Sequence, residues 1–184
     1  SSDYHCFIVK RFDRTNRGGC LHFASAMTMT DRVDGDDASV GASYLELAEV
    51  LMEHGSQTNA DLRELWSRIV FNILVSNSDD HLRNHGFILD PGRGWRLSAA
   101  YDLNPVAHAD GLKLNITDTD NALDLELARE VAGYFRVSPA DAETIIDSFK
   151  EVVSQWSTLA GALALSKREQ DNMAPAFRLA EPAQ

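Results

Sequence analysis

"SNSDDHLRNHGF", residues 76–87, places two aspartates, two histidines and two asparagines between the apolar runs "FNILV" (71–75) and "GFIL" (86–89). Loops are usually polar, so polarity alone carries little. The mixture carries more: carboxylates, amides and imidazoles together suit proton transfer and hard divalent cations.

Spacing sharpens this. Asn84 follows Asp79 by five residues (84 − 79), and Asp102 in "AAYDLNPV" (99–106) follows it by 23 (102 − 79). Phosphoryl transfer from a nucleotide needs one carboxylate to orient a hydroxyl and take its proton. It also needs an amide oxygen and a second carboxylate to hold magnesium. A five-residue step from base to amide is the one that such catalytic loops use. Asp80 is a rival base at an offset of four, and is expected to be a bystander if Asp79 is the base. An Asp–Asn pair alone is ordinary turn chemistry, and Asp102 alone could cap a turn. The ordered set is the signal. His81 and His85, four apart, could also bind zinc on a helix, but a third ligand at matching spacing is not evident.

Working outward, Leu62, Leu65, Trp66, Ile69, Val70, Ile73 and Leu74 recur at three- and four-residue steps. They predict a core helix over 59–76, capped by Thr58 or Asn59. "ASYLELAEVLMEHG" (42–55) predicts a helix closed by Gly55. "HGFILD" (85–90) and "GWRLS" (94–98) predict a hairpin turning at "DPGRG". "LKLNI" (112–116) and "YHCFIVKRF" (4–12) read as short strands, and 13–42 as a loop. "DLELAREVAGYF" (124–135) is an amphipathic helix. Ser138, Pro139 and Asp141 start another that runs to Trp156. A last helix starts near Ser166, and Pro175 kinks or ends it. No repeat or interdomain linker is evident. The fold class is α+β and mostly helical.

The 184 residues are 44% hydrophobic and 24% charged, which suits one globular core. A net charge of −11 disfavours a broad nucleic-acid footprint of its own. Cys6 and Cys20 form neither a metal pattern nor a disulfide framework, as in a cytoplasmic protein. No apolar run approaches the ~20 residues of a membrane span.

"FNILVSNSDDHLRNHGFIL" (71–89) followed by "WRLSAAYDLNPV" (95–106) resembles the C-terminal lobe of the HipA-like serine/threonine kinases, toxins of bacterial toxin–antitoxin pairs. That family carries D-x-H-x-x-N and then a hydrophobic Y-D, matched by Asp79, His81, Asn84, Tyr101 and Asp102. "FIVKRFDR" (7–14) resembles the segment joining its two lobes, and the likeness runs from about residue 4 to about 158. The resemblance implies a protein-kinase-like C-terminal lobe with a small β-hairpin beside the catalytic loop. Residues 1–13 would be the lobe-joining strand and 14–184 the lobe. The phosphate-covering loop and its lysine would lie upstream of residue 1, leaving this chain alone inactive.

The same resemblance implies transfer of the ATP γ-phosphate to a protein Ser/Thr. Asp79 would be the base, and His81 would line the loop near the phosphates. Asn84 and Asp102 would bind Mg2+, and Lys10 and Phe12 would contact adenine. Partners would be a protein substrate and a HipB-like DNA-binding antitoxin, with DNA met only through the antitoxin. Two alternatives stay open. One is a small-molecule phosphotransferase, although such enzymes place His two residues before the base, where this chain has Asn77. The other is a non-catalytic module that binds an antitoxin.

Overall fold

The computed structural model describes residues 6 and 8–180. Its centre is helix α3, Thr58–Leu74. The seven apolar residues that predict it are all buried. At about 1.5–3 kcal/mol for each large side chain, they are the main apolar contribution of a single element. Trp66 is buried whole because its indole N–H donates to the Ala128 carbonyl at 2.8 Å. Neither Thr58 nor Asn59 caps the helix. The Thr58 hydroxyl donates instead to Leu51 O at 3.1 Å, and Gln57 occupies the cap without a side-chain bond.

Helix α2, Tyr44–His54, packs on α3. It starts with a reciprocal cap in which Ser43 and Glu46 bond each other's backbone N–H. Glu46 also receives the Arg32 guanidinium at 2.8 Å, which fastens the preceding loop to the helix.

The expected hairpin is present as β2, Gly86–Asp90, and β3, Gly94–Leu97, with Phe87 opposite Leu97 and Asp90 opposite Gly94. The region read as all loop contributes a third antiparallel strand, β1, Phe23–Ser25, followed by a single-turn helix α1, Ala26–Met29. Three residues are too few to show a period, and their partners lie far along the chain, Phe23 opposite Ile88 and Ser25 opposite Gly86. Gly86 has a clear reason to be glycine: a Cβ there would lie 2.2 Å from the Phe23 ring.

Two other expected strands differ. "LKLNI" makes only one parallel bridge, Asn115 to Ser43. Its partner at once turns into α2, so no ladder can extend. Residues 4, 5 and 7 of "YHCFIVKRF" lie outside the described residues. Residues 8–11 pair with no strand among the described residues, and Phe12 enters a turn that closes at an Arg14–Cys20 bridge.

The remaining helices are α4, Leu125–Val131; α5, Pro139–Ser154; α6, Trp156–Ala162; and α7, Lys167–Met173. Ser138 and Ser166 cap α5 and α7. The expected run from Ser138 to Trp156 breaks at Gln155, so Trp156 opens α6 and stacks on Phe177 at 4.6 Å. Pro175 sits in a 3-10 turn, Ala174–Phe177, directly after α7.

A partly buried ion pair joins the sheet to α3. Asp61 accepts two bonds from Arg96 Nε and Nη2, 2.8 and 2.9 Å, and a third from the Leu97 backbone N–H at 3.1 Å. Asp61→Ala strands these donors. It should lower unfolding free energy by about 3 kcal/mol in urea titration. Asp171→Ala, which removes the exposed partner of Lys167 on α7, should change it by less than about 1 kcal/mol.

Candidate active site

Helix α3 stops at Leu74, and the polar window follows as a tight loop. The first surprise is how differently its two adjacent aspartates are placed. Asp79 is exposed, and Asp80 is fully buried. Asp80 Oδ2 accepts the Tyr44 hydroxyl at 2.5 Å, Asn72 Nδ2 at 2.7 Å and His85 Nε2 at 2.8 Å. These donors come from α2, from α3 and from the end of the loop itself. Asn72 also bonds Asn77 twice, by backbone carbonyl at 2.8 Å and by side-chain oxygen at 3.0 Å. Burial, and next the neighbouring Asp80 charge, push the Tyr44 hydroxyl well above its ordinary pKa, so it stays a donor.

The expectation that Asp80 is a bystander is therefore corrected: it anchors the loop. Tyr44, Asn72 and His85 were missed as members of this network. Asn72 did carry a signal, being an amide between Ile69 and Ile73 on the buried face of a helix.

Asn84 and Asp102 come together as their spacing predicts. Asn84 Nδ2 lies 3.3 Å from Asp102 Oδ2 and 3.3 Å from the Asp79 carbonyl. Asn104 Nδ2 donates to Asp102 Oδ1 at 2.6 Å. Asp102 has φ 58°, a left-handed conformation rare outside glycine. Tyr101, beside it, donates its hydroxyl to the Arg83 carbonyl at 2.7 Å, which ties the hairpin exit to the loop. Burial above all pushes Tyr101 up to about 12, so it too remains a donor at neutral pH.

His81 is half-buried, with Nε2 3.4 Å from Arg83, and Arg83 pairs with Asp34. His85 instead points into the core at Asp80, so the two histidines diverge rather than converge on one ion. Lys10 is exposed, with its ammonium donating to Asn16 at 3.1 Å. Phe12 packs 5.5 Å from the Tyr101 ring and 6.0 Å from Phe23. Together Val9, Lys10, Phe12, Phe23, Ala100 and Tyr101 line a largely apolar cleft of about 510 Å³. Its wall is continuous with the loop through Tyr101, whose hydroxyl bonds the Arg83 carbonyl.

The donor set fits magnesium better than zinc. Asp102 offers exposed carboxylate oxygens. Rotation of the Asn84 side-chain amide brings Oδ1 to the same side in place of Nδ2. Among the described residues, no group of three or more His, Cys, Asp or Glu is placed to hold an ion. A two-ligand site suits a cation that keeps waters and shares phosphate oxygens. No helix among the described residues is long and apolar enough to cross a membrane.

The model of the HipA-like C-terminal domain family matches residues 1–156. A Haemophilus influenzae protein named "Putative kinase" is 31% identical over 106 residues, covering 55% of this chain and 31% of that protein. "Putative kinase Y4dM" of Sinorhizobium fredii is 29% identical over 178 residues, covering 94% of this chain and 41% of that protein. Among solved structures, a chain of the Shewanella oneidensis toxin–antitoxin complex of HipA, HipB and operator DNA is similar in fold. Its TM-score is 0.72 at 16% identity, over 93% of this chain and 46% of that one. The chain thus spans less than half the length of each of these proteins.

Asp80→Asn should cost about 3 kcal/mol of stability, because an amide cannot serve three donors at one oxygen and removes the charge they face. Asp79→Asn, at an exposed position, should stay within about 0.5 kcal/mol of the parent. Chemical denaturation of both variants measures the difference.

Proposed function

The chain belongs to the HipA-like C-terminal domain family, and from that premise we propose that it is the lobe of an ATP-dependent kinase that phosphorylates Ser or Thr of a protein. The observation that carries this reading is the meeting of Asn84 with Asp102 at 3.3 Å, beside an exposed Asp79 and an apolar cleft. The kinase names of the two relatives support it.

In this reading the adenine ring enters the cleft walled by Phe12, Phe23 and Tyr101, with the backbone around Lys10 at its edge. Asn84 and Asp102 hold Mg2+, which when bound offsets charge on the phosphates. Asp79, free of the anchoring network, orients the acceptor hydroxyl and takes its proton. Its exposure leaves room for a protein segment. His81 lines the floor near the phosphates, and Asp80 holds the loop without touching substrate. The partner we propose is a DNA-binding antitoxin like the HipB of the Shewanella complex. A chain of net charge −11 would then meet DNA only through that partner. A toxin role and a cytoplasmic location belong to the same proposal.

The test is made on the full natural polypeptide. Asp79→Asn should lower single-turnover phosphorylation by at least about 10³-fold while ATP affinity changes less than about threefold. Asp102→Asn should weaken magnesium-dependent ATP binding itself, and Asn84→Ala should do the same more mildly. Transfer to small hydroxyl compounds but not to protein would replace the protein-kinase reading with a small-molecule one. Full activity in all three variants would sink both.

A further inference from the structure

Ser76 opens the loop three residues before Asp79, and it is held from a distant part of the chain. It is fully buried and has φ 52°, a left-handed conformation that a serine adopts at a cost. Such a conformation persists where the surroundings over-determine it. Here its hydroxyl donates to the Ala176 carbonyl at 2.8 Å and accepts from Arg178 Nη1 at 3.0 Å. Arg178 Nη1 also reaches the Pro175 carbonyl at 3.0 Å, which closes a small ring around the Ser76 oxygen.

The partner segment is itself anchored. Ala176 and Ala180 are buried, and Phe177 stacks on Trp156 at an interplanar angle of 15°. Residues 174–178 lie beyond residue 156, where the family match ends. The C-terminal segment is therefore not a loose appendage. It bonds the residue at which the backbone leaves α3 and turns toward Asp79.

We propose that residues 174–178 are a positioning strap for the loop 76–84, acting through the bonds of Ala176 and Arg178 to Ser76. Asp80 fixes the middle of the loop from inside the core, and the strap fixes its entry from the C-terminus. With both in place the exposed Asp79 side chain is displayed from a rigid base. Without the strap, only the local backbone bonds of Ser76 to Ile73 and Ser78 hold its unfavourable φ, and the loop entry relaxes. The word "catalytic" for this loop rests on the phosphotransfer reading above, but the mechanical claim does not.

Hydrogen exchange and kinetics on the full natural polypeptide test it together. Ser76→Ala preserves the shape but loses both bonds. It should speed exchange of amides 77–84 about tenfold, while amides 65–72 of α3 stay as in the parent. Arg178→Ala should give about a threefold rise, and Arg178→Lys, which can still donate to Ser76, should restore most of the protection. Phosphorylation kcat should fall in the same order, with KM for ATP unchanged. If exchange responds in this way but the parent transfers no phosphate, the strap stands and the kinase reading falls. If amides 77–84 do not respond to Ser76→Ala and Arg178→Ala, or α3 loosens equally, the contact is ordinary packing and the strap is overturned.

Discussion

The site depends on one buried carboxylate. Asp80 is fully shielded from water, and removing a charge from solvent costs several kcal/mol before any compensation. What makes it tolerable is the convergence of three donors on Oδ2, from Tyr44, Asn72 and His85. Each donor belongs to a different stretch of chain. Oδ2 gathers its three donors only when α2, α3 and the end of the loop are all in register. A hydrophobic side chain would fill the same space at lower electrostatic cost, but it would not dictate the direction in which the loop runs.

From that anchor the rest follows by short links. With Asp80 turned inward, its neighbour Asp79 is turned outward. With His85 drawn into the core, Asn84 is left facing the exit of the hairpin. The hairpin delivers Asp102 there because Asp61 grips Arg96 and the Leu97 N–H, while Arg68, buried in the same helix, holds the Ser98 carbonyl at 2.6 Å. Helix α3 therefore controls both halves of the candidate metal site, one through Asn72 and the other through Asp61 and Arg68. Tyr101 then joins the halves directly through its bond to Arg83 O.

How much of this could be read in advance follows from the range of each interaction. Helix α3, the hairpin and the helix starts at Ser138 and Ser166 are local patterns, and each forms close to where the sequence places it, although α3 stops at Leu74 rather than 76. The Asp79–Asn84–Asp102 set was legible because its parts keep a fixed order. Strand β1 was not, since three residues have no period and their partner lies far along the chain. The strand read at "LKLNI" failed for the opposite reason: its alternation is real, and Leu112 and Leu114 are buried, but α2 begins where a ladder would have to continue. The inward role of Asp80 was hidden because the two neighbouring aspartates look equivalent until Tyr44 and His85 are placed in space. Asn72 was the exception. An amide at a core step of an apolar helix requires a polar partner, and "SNSDD" was the nearest supply.

Two carboxylates side by side in a tight loop cannot share one environment, because successive side chains there point in divergent directions. That geometry converts a sequence ambiguity into a division of labour. In the proposed reading, the group that collects a proton from an incoming hydroxyl needs solvent access, and Asp79 is exposed. Asp80, fully buried with its Oδ2 taken by three donors, lacks that access. The spacing of five from Asp79 to Asn84 and the burial of Asp80 are thus two expressions of one constraint: the residue that holds the loop is adjacent to, and cannot be, the residue that the loop displays.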